Sequence, residues 1–242
     1  MIPRGWLPDQ LVGRTVILRP HAPENLAAFR RWYADPEIAR LTRYQDGPMR
    51  RDEIDRFFQV RAVGTQSLAM AIHLRESGRL IGSCAFSAMD PDNGAAMFHI
   101  TIGERDCWGR GHGSEATQLM LDHAFGTLGL HRVALAVFAF NERAIRSYQK
   151  VGFVVEGRSR QAIFRDGRFW DELHMSVLAD EWRSRAGRQP GGSSADRAPA
   201  ASGIGGGDVA PVELAAAPTP AQHPDDGDEP GNRGVLERLG LR

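Results

Sequence analysis

The sequence predicts a mixed α/β domain followed by a long polar tail, and three observations carry that expectation. Between residues 96 and 138 an apolar strand, a glycine-rich turn, an amphipathic helix and a second apolar strand succeed one another as a βαβ crossover. Elsewhere, apolar runs joined by turn residues read as antiparallel hairpins. From Ala186 the chain reads "AGRQPGGSSADRAPAASGIGGG" and continues rich in Ala, Gly, Pro and Asp, without an aromatic residue through Gly234. Such a segment buries too little apolar surface to offset its ordering entropy, about 1 to 2 kcal/mol per residue for the backbone. Residues 1–185 are therefore expected to form one domain and residues 186–242 a disordered tail, with "VLERLGLR" at most a weak helical turn or docking peptide.

Along the domain, "TVILRP" alternates as a strand, and "PENLAAFRRWYADPEIARL" carries apolar residues at helical spacing. "MRRDEIDRFFQVRAV" predicts a second helix with a solvated acidic and basic face. "SLAMAIHL" and "LIGSCAF" flank "RESGR", whose Ser-Gly is turn chemistry, and so form a hairpin. In "AMFHITI", Phe98, Ile100 and Ile102 share one face of a strand, and Met97, His99 and Thr101 the other. Ala116, Leu119, Met120, His123, Ala124 and Leu128 then recur at three- and four-residue steps, the pattern of an amphipathic helix packed on a sheet. "RVALAVFAF" is the next strand and "NERAIRSYQKVGF" the next helix, with Gly152 as its left-handed C-cap and Glu142 and Arg146 as a surface pair. "FRDGRFWDELHMSVL" closes the domain with an Asp-Gly turn into a last strand.

Composition excludes several classes of function. The 242 residues carry 30 basic and 30 acidic side chains, so no broad electrostatic footprint for nucleic acid is expected. Cys84 and Cys107 are the two cysteines, too few for a disulfide framework or a zinc site, and no metal is expected. No stretch approaches the roughly 20 apolar residues of a membrane span, and the N-terminus has no leader-like apolar run. A cytoplasmic protein without membrane contact is the expectation.

The stretch "ITIGERDCWGRGHGSEA" places Gly109, Gly111 and Gly113 at alternate positions just before a helix. A helix N-terminus presents free N–H groups and about half a positive charge, and glycines clear the approach to it for an anion such as a pyrophosphate. Arg110 stands nearby as a counter-charge. A phosphate-binding P-loop would need Gly-Lys-Ser/Thr here, which is missing. "GHGSEA" fits the nicotinamide-dinucleotide pattern G-x-G-x-x-A, but "GERDCWGR" separates it from its strand, and the acid expected after the next strand is absent. A glycine turn without any ligand is the remaining reading from the turn alone.

Taken together, "WGRGHGSEA" and "NERAIRSYQKVGFVVEGR" resemble the GNAT superfamily of acyl-CoA N-acyltransferases, in the branch of the RimJ/RimL-type ribosomal-protein N-terminal acetyltransferases and the spermidine acetyltransferases. The resemblance extends over most of residues 10–182. It implies a mixed, mostly antiparallel twisted sheet of about seven strands, with helices on both faces and a central splay where "AMFHITI" bulges away from "RVALAVFAF". Acetyl-CoA would wedge into that opening, its pyrophosphate on the amides from Gly109 to Ser114. The cofactor-binding set so implied is Thr101, Ile102, Gly103, Trp108, Gly109, Arg110, Gly111, His112, Gly113, Ser114, Asn141, Arg143, Ala144 and Tyr148. Trp108 stands where the family motif has Gln or Arg, either as core or as a lid on the ligand. His112 either touches the phosphates or faces solvent.

By the same resemblance, an amine would attack the thioester directly, its carbonyl polarised by an amide near Thr101 or Ile102. Tyr148 lies seven residues after Asn141, on the same side of its helix, and would protonate the departing thiolate. As plain helix periodicity, Tyr148 is equally a core residue beside Ala144 and Val151. The glutamate that many relatives carry early in the first strand has no counterpart among Ala95, Ala96 and Met97, which leaves His99 as a candidate proton relay or a satisfied strand histidine. The expected activity is transfer of an acetyl group from acetyl-CoA to a protein N-terminus or to a small amine such as a polyamine or amino-sugar antibiotic. A non-catalytic acyl-CoA-binding module is the alternative. A homodimer is compatible with the resemblance.

Overall fold

A computed structural model describes residues 6–64 and 67–186 of the chain. Of the tail expected over residues 186–242, everything after Ala186 lies outside the described residues, the terminal "VLERLGLR" included. Strands β1 (Leu11–Val12) and β2 (Val16–Pro20) open the fold, followed by helices α1 (Leu26–Tyr33), α2 (Pro36–Thr42) and α3 (Arg51–Arg61). The hairpin β3 (Leu68–Leu74) and β4 (Leu80–Asp90) leads to β5 (Ala95–Ile102). Then come α4 (His112–Asp122), β6 (Arg132–Phe138), α5 (Glu142–Val151), β7 (Val154–Arg165), β8 (Arg168–Leu178) and α6 (Ala179–Ala186).

The strands form one eight-stranded sheet in the order β1-β2-β3-β4-β5-β6-β8-β7. Every neighbouring pair is antiparallel except β5 and β6, which the α4 crossover joins in parallel. The architecture agrees with the expected open, mostly antiparallel sheet, with one strand more than the seven expected. Two strands were not legible. β1 is two residues long, and β7 is an edge strand that exposes most of its residues, so neither shows the alternation that marks a half-buried strand. The helix expected over "PENLAAFRRWYADPEIARL" is broken, because Asp35 caps a new helix that begins at Pro36. Its carboxylate accepts the N–H groups of Glu37 at 2.8 Å and Ile38 at 3.3 Å.

Two cores hold the layers together. On one sheet face, Phe98, Val133, Leu135 and Met175 pack with Ala116, Met120 and Leu121 of α4, and Ile145 and Tyr148 of α5 border them. On the other face, Phe29, Trp32 and Tyr33 of α1 meet Ile54 and Phe58 of α3, with ring centroids of Phe29 and Phe58 4.9 Å apart. Small residues on that face of β3 and β4, among them Ala69, Ala71 and Ala85, leave room for these rings.

The expected opening of the sheet is present. β5 and β6 pair only through Ala95↔Arg132, Ala96↔Val133 and Met97↔Ala134. Beyond that point β5 stays bonded to β4 as far as Ile102, and β6 to β8 as far as Phe138, so the two strands part. The bulge is not in β5, as expected, but in β4. Ala88 and Met89 lie between the pairs Ser87↔Met97 and Asp90↔Ala95, and Ala88 is left-handed at φ 46°. A bulge adds local twist, and this one faces the last residues that β5 shares with β6.

Gly103, at the end of β5, shows how closely α1 approaches. A Cβ there would stand 2.1 Å from the Trp32 ring. Gly103→Ala is expected to destabilise the domain by about 1–3 kcal/mol through forced repacking, measured as a lower urea midpoint with an unchanged slope.

Candidate active site

The glycine turn delivers the geometry expected of it. Gly109 and Gly111 adopt φ 73° and 86°, conformations that disfavour side-chain-bearing residues, and nothing lies within 4 Å of where their Cβ atoms would be. Gly111 is the N-cap of α4 and no side chain caps that helix. Among the described residues, no acceptor takes the backbone N–H of any residue from Gly109 to Ser114. A row of free amides therefore opens at the positive end of a helix next to the parted strands, which is chemistry suited to a phosphate or pyrophosphate.

Several residues assigned to the cofactor have their polar groups engaged elsewhere. The N–H of Gly103 donates to the Ile81 carbonyl at 2.8 Å, so this glycine serves packing and sheet pairing and its N–H is already engaged. The Ile102 carbonyl accepts the Trp108 indole N–H at 2.7 Å. The Thr101 hydroxyl shares a hydrogen bond with the Tyr33 hydroxyl at 3.3 Å, which turns that side chain toward α1. His112 is not free in solvent: its Nδ1 lies 3.1 Å from the Thr15 hydroxyl, and Glu115 holds the same threonine through its N–H at 2.8 Å and through its hydroxyl. Ser114 shares a hydrogen bond of 2.8 Å with Ser147, tying α4 to α5. Asn141 caps α5 by accepting the Ala144 N–H at 3.3 Å, which leaves its side-chain NH₂ as its free donor group. Arg110 is exposed at the turn.

Trp108 is neither pure core nor a loose lid. One edge is tied to Ile102, its ring borders the α1 and α3 cluster, and the Arg143 guanidinium stacks 3.9 Å from the ring centroid. The stack links the turn before α4 to the first turn of α5. The smaller expectations hold on α5: Arg146 pairs with Glu142 at 2.9 Å, and Gly152 ends the helix at φ 131°.

Tyr148 borders the core on the α4 and α5 side, its ring 5.7 Å from that of Phe153. Its hydroxyl has no hydrogen-bond partner among the described residues, and burial pushes the phenol up to about 12. It remains a proton donor at neutral pH. His99 stands on the opposite sheet face, where its Nε2 shares a 2.6 Å hydrogen bond with Ser87. Crowding by protein first, and the Arg61 charge second, lower its pKa to about 4, although the residue as a whole is exposed. The imidazole is neutral at pH 7 and a weaker base than a free histidine. Cys84 is buried, which pushes its thiol up, and Cys107 is buried as well, so neither is presented as a nucleophile. Among the described residues no cluster of three or more His, Cys, Asp or Glu is placed to hold a metal. Nor is any helix of theirs long and apolar enough to cross a membrane.

On the His99 face the sheet is bare between α3 and the β7–β8 hairpin. His99, Ala136 and His174 are exposed although they lie on inner strands, which is the mark of a cleft. Its far wall was not foreseen. Glu172 of β8 sits opposite Phe138 of β6 and is buried, accepting a hydrogen bond from the Tyr44 hydroxyl. In the sequence Glu172 is one of the alternating residues of a strand, and Tyr44 belongs to a loop 128 positions away. Neither carries a local signal.

Comparisons with known proteins agree with this geometry. Residues 15–154 match the acetyltransferase (GNAT) domain family. An uncharacterised N-acetyltransferase, p20, of Bacillus licheniformis is 29% identical over 177 residues, spanning 72% of this chain and 98% of that protein. Spermidine N(1)-acetyltransferase of Escherichia coli K12 is 32% identical over 87 residues, 36% of this chain and 46% of its own length. The crystal structure of spermidine N-acetyltransferase from Vibrio cholerae, in complex with CoA and spermine, superposes with a TM-score of 0.63. That likeness covers 70% of this chain and 98% of the other, at 22% identity, and concerns the fold. The chain belongs to the GNAT family of acetyltransferases.

Proposed function

We propose that this acetyltransferase takes its acetyl group from acetyl-CoA and passes it by direct attack to a primary amine. The observation that carries the reading is the run of free amides from Gly109 to Ser114 beside the parted ends of β5 and β6. The amides fit a pyrophosphate, and the unpaired edges fit an extended chain bearing amides of its own. The thioester supplies an activated acetyl carbonyl with a good leaving group.

The chain's own residues supply the rest. The parted edge of β5, near Thr101 and Ile102, offers backbone N–H groups to a developing oxyanion. Tyr148 donates its proton to the sulfur as the C–S bond breaks, a favourable direction only because the thiolate enters a site where it is poorly solvated. His99 is suited to accept a proton or orient water as a neutral imidazole rather than to act as a strong base. An amine with a pKa near 8 already has a substantial neutral fraction at neutral pH. The acceptor reaches the opening from the bare sheet face bordered by His99, Ala136 and Glu172. A small amine suits this cleft, and one relative, the Escherichia coli enzyme described above, is a spermidine N(1)-acetyltransferase. A protein N-terminus is the other acceptor of the same chemistry.

Tyr148→Phe is expected to lower kcat by about 10²- to 10⁴-fold, the usual range for losing a general acid, with little change in KM for acetyl-CoA. Thiol release measures it, and an unaltered kcat removes the acid role. Gly111→Asp keeps a residue type that tolerates a left-handed backbone but sets a negative charge at the turn. Acetyl-CoA binding by calorimetry should weaken at least about tenfold, while the melting temperature stays within a few degrees. The pH dependence follows from the phenol pKa of about 12. Because Tyr148 keeps its proton below that value, kcat/KM for the amine should rise from pH 6 to 9 as the amine loses its proton. A descending limb near pH 8 would show that another group is the acid.

A further inference from the structure

Among the described residues, five acids of the elements near the bare sheet face are paired with arginines, and Glu172 is not. Asp46 pairs with Arg165 at 2.8 Å, Glu53 with Arg43 at 2.8 Å and Asp55 with Arg30 at 2.7 Å. Glu156 pairs with Arg132 at 2.5 Å, and Asp171 with Arg158 at 2.9 Å. Glu172 forms no ion pair among the described residues, although it is only 7% exposed. Its one hydrogen bond there comes from Tyr44. An ionised carboxylate offers about four acceptor positions, so most of its capacity is unused. A buried anion without a cation is costly, and it persists most readily where a ligand completes it.

The surroundings of Glu172 are built rather than incidental. Arg165 is 2% exposed and threads into the loop between α2 and α3. It donates to the carbonyls of Arg43 at 2.7 Å, Tyr44 at 3.2 Å and Gln45 at 3.3 Å, besides its bond to Asp46. The Arg165 carbonyl in turn accepts the Trp170 indole N–H at 3.1 Å. This clasp presents Tyr44 edge-on to Phe138, with centroids 5.3 Å apart, and brings its hydroxyl to Glu172. Burial and the neighbouring carboxylate raise the Tyr44 phenol above its ordinary value, so it remains a donor. Glu172 is one strand beyond β6 from the parting, a lateral step of about 4.8 Å. A group held by Glu172 is thus offset from a thioester seated between β5 and β6.

We propose that Glu172 receives a second, non-reacting ammonium group of the acceptor and so selects diamines and longer polyamines, with the Arg165-clasped Tyr44 loop holding its carboxylate in place. This rests on the acetyl-transfer reading. One ammonium pairs with the carboxylate oxygen that Tyr44 leaves free, while the other nitrogen, neutral, reaches the parted strands. The acids of α3, Asp52, Glu53 and Asp55, are already paired with arginines and do not compete.

The test uses the full chain and two acceptors that differ only in the second amino group, 1,4-diaminobutane and butylamine. The wild type should show kcat/KM higher for the diamine by about ten- to a hundredfold, the scale of one charge-assisted contact. Glu172→Gln, which keeps the shape and an acceptor for Tyr44, should bring the ratio close to one. Tyr44→Phe keeps the ring on Phe138 and should raise KM for the diamine with little effect on kcat. Thermal melting with and without acetyl-CoA reports that each variant folds and binds the donor. A wild type without preference, or a Glu172→Gln protein that retains it, overturns the proposal. If no amine releases thiol although acetyl-CoA binds, the acetyl-transfer reading fails by itself. Calorimetric binding of the two amines to the CoA-loaded wild type and Glu172→Gln proteins then decides the role of Glu172: selective diamine binding lost in the variant supports it, and equal or absent binding overturns it.

Discussion

The constraint on which this structure turns is that backbone N–H and C=O groups must find partners. In a closed sheet β5 and β6 would satisfy one another along their whole length. Here they do so for three residue pairs and then separate, while each keeps its outer neighbour. The inner edges beyond Met97 and Ala134 face a gap that water or an extended ligand with its own amides must fill. The bulge at Ala88 and Met89, the crossover through α4 and the first turn of α5 all converge on that gap. Trp108 spans its rim by holding the Ile102 carbonyl and carrying Arg143.

The two sheet faces divide the chemistry. The α4 and α5 face contributes the free helix end and the Tyr148 phenol, in an apolar setting that keeps the phenol protonated. The other face contributes polar groups set on strands: His99 with Ser87, His174 with Ser159 at 2.7 Å, and Glu172 with Tyr44. Because the gap runs between the faces, the proposed reaction would admit the amine from one and protonate the leaving group from the other. Many arginines pair locally with carboxylates, and among the described residues Glu172 is the one buried acid without such a partner.

Much of the site was legible because its signals are local. Gly109 and Gly111 announce left-handed turn positions wherever they occur, and the three- and four-residue spacing of α4 places its apolar face on the sheet. The close approach of Trp32 to Gly103 was not legible, because a glycine that admits a ligand and one that admits a ring look identical in a sequence. Asn141 was assigned to the ligand, yet its carbonyl serves a helix cap one turn away. The bulge was sought in β5 but lies in β4, where "SAMD" contains no glycine to mark the left-handed Ala88. The Glu172–Tyr44 pair was invisible, since only the clasp of Arg165 on residues 43–46 brings the two together.

By itself, the sequence determined the alternation of strands and helices, the crossover, the bare amide turn and the family, since each depends on contacts within a few residues or on motifs of fixed spacing. The tertiary structure alone decided where β5 and β6 part, which polar groups are already spent on internal hydrogen bonds, and that Glu172 is buried without a cation among the described residues. Those outcomes depend on pairings between residues far apart in the chain, and such pairings leave no periodic trace along it.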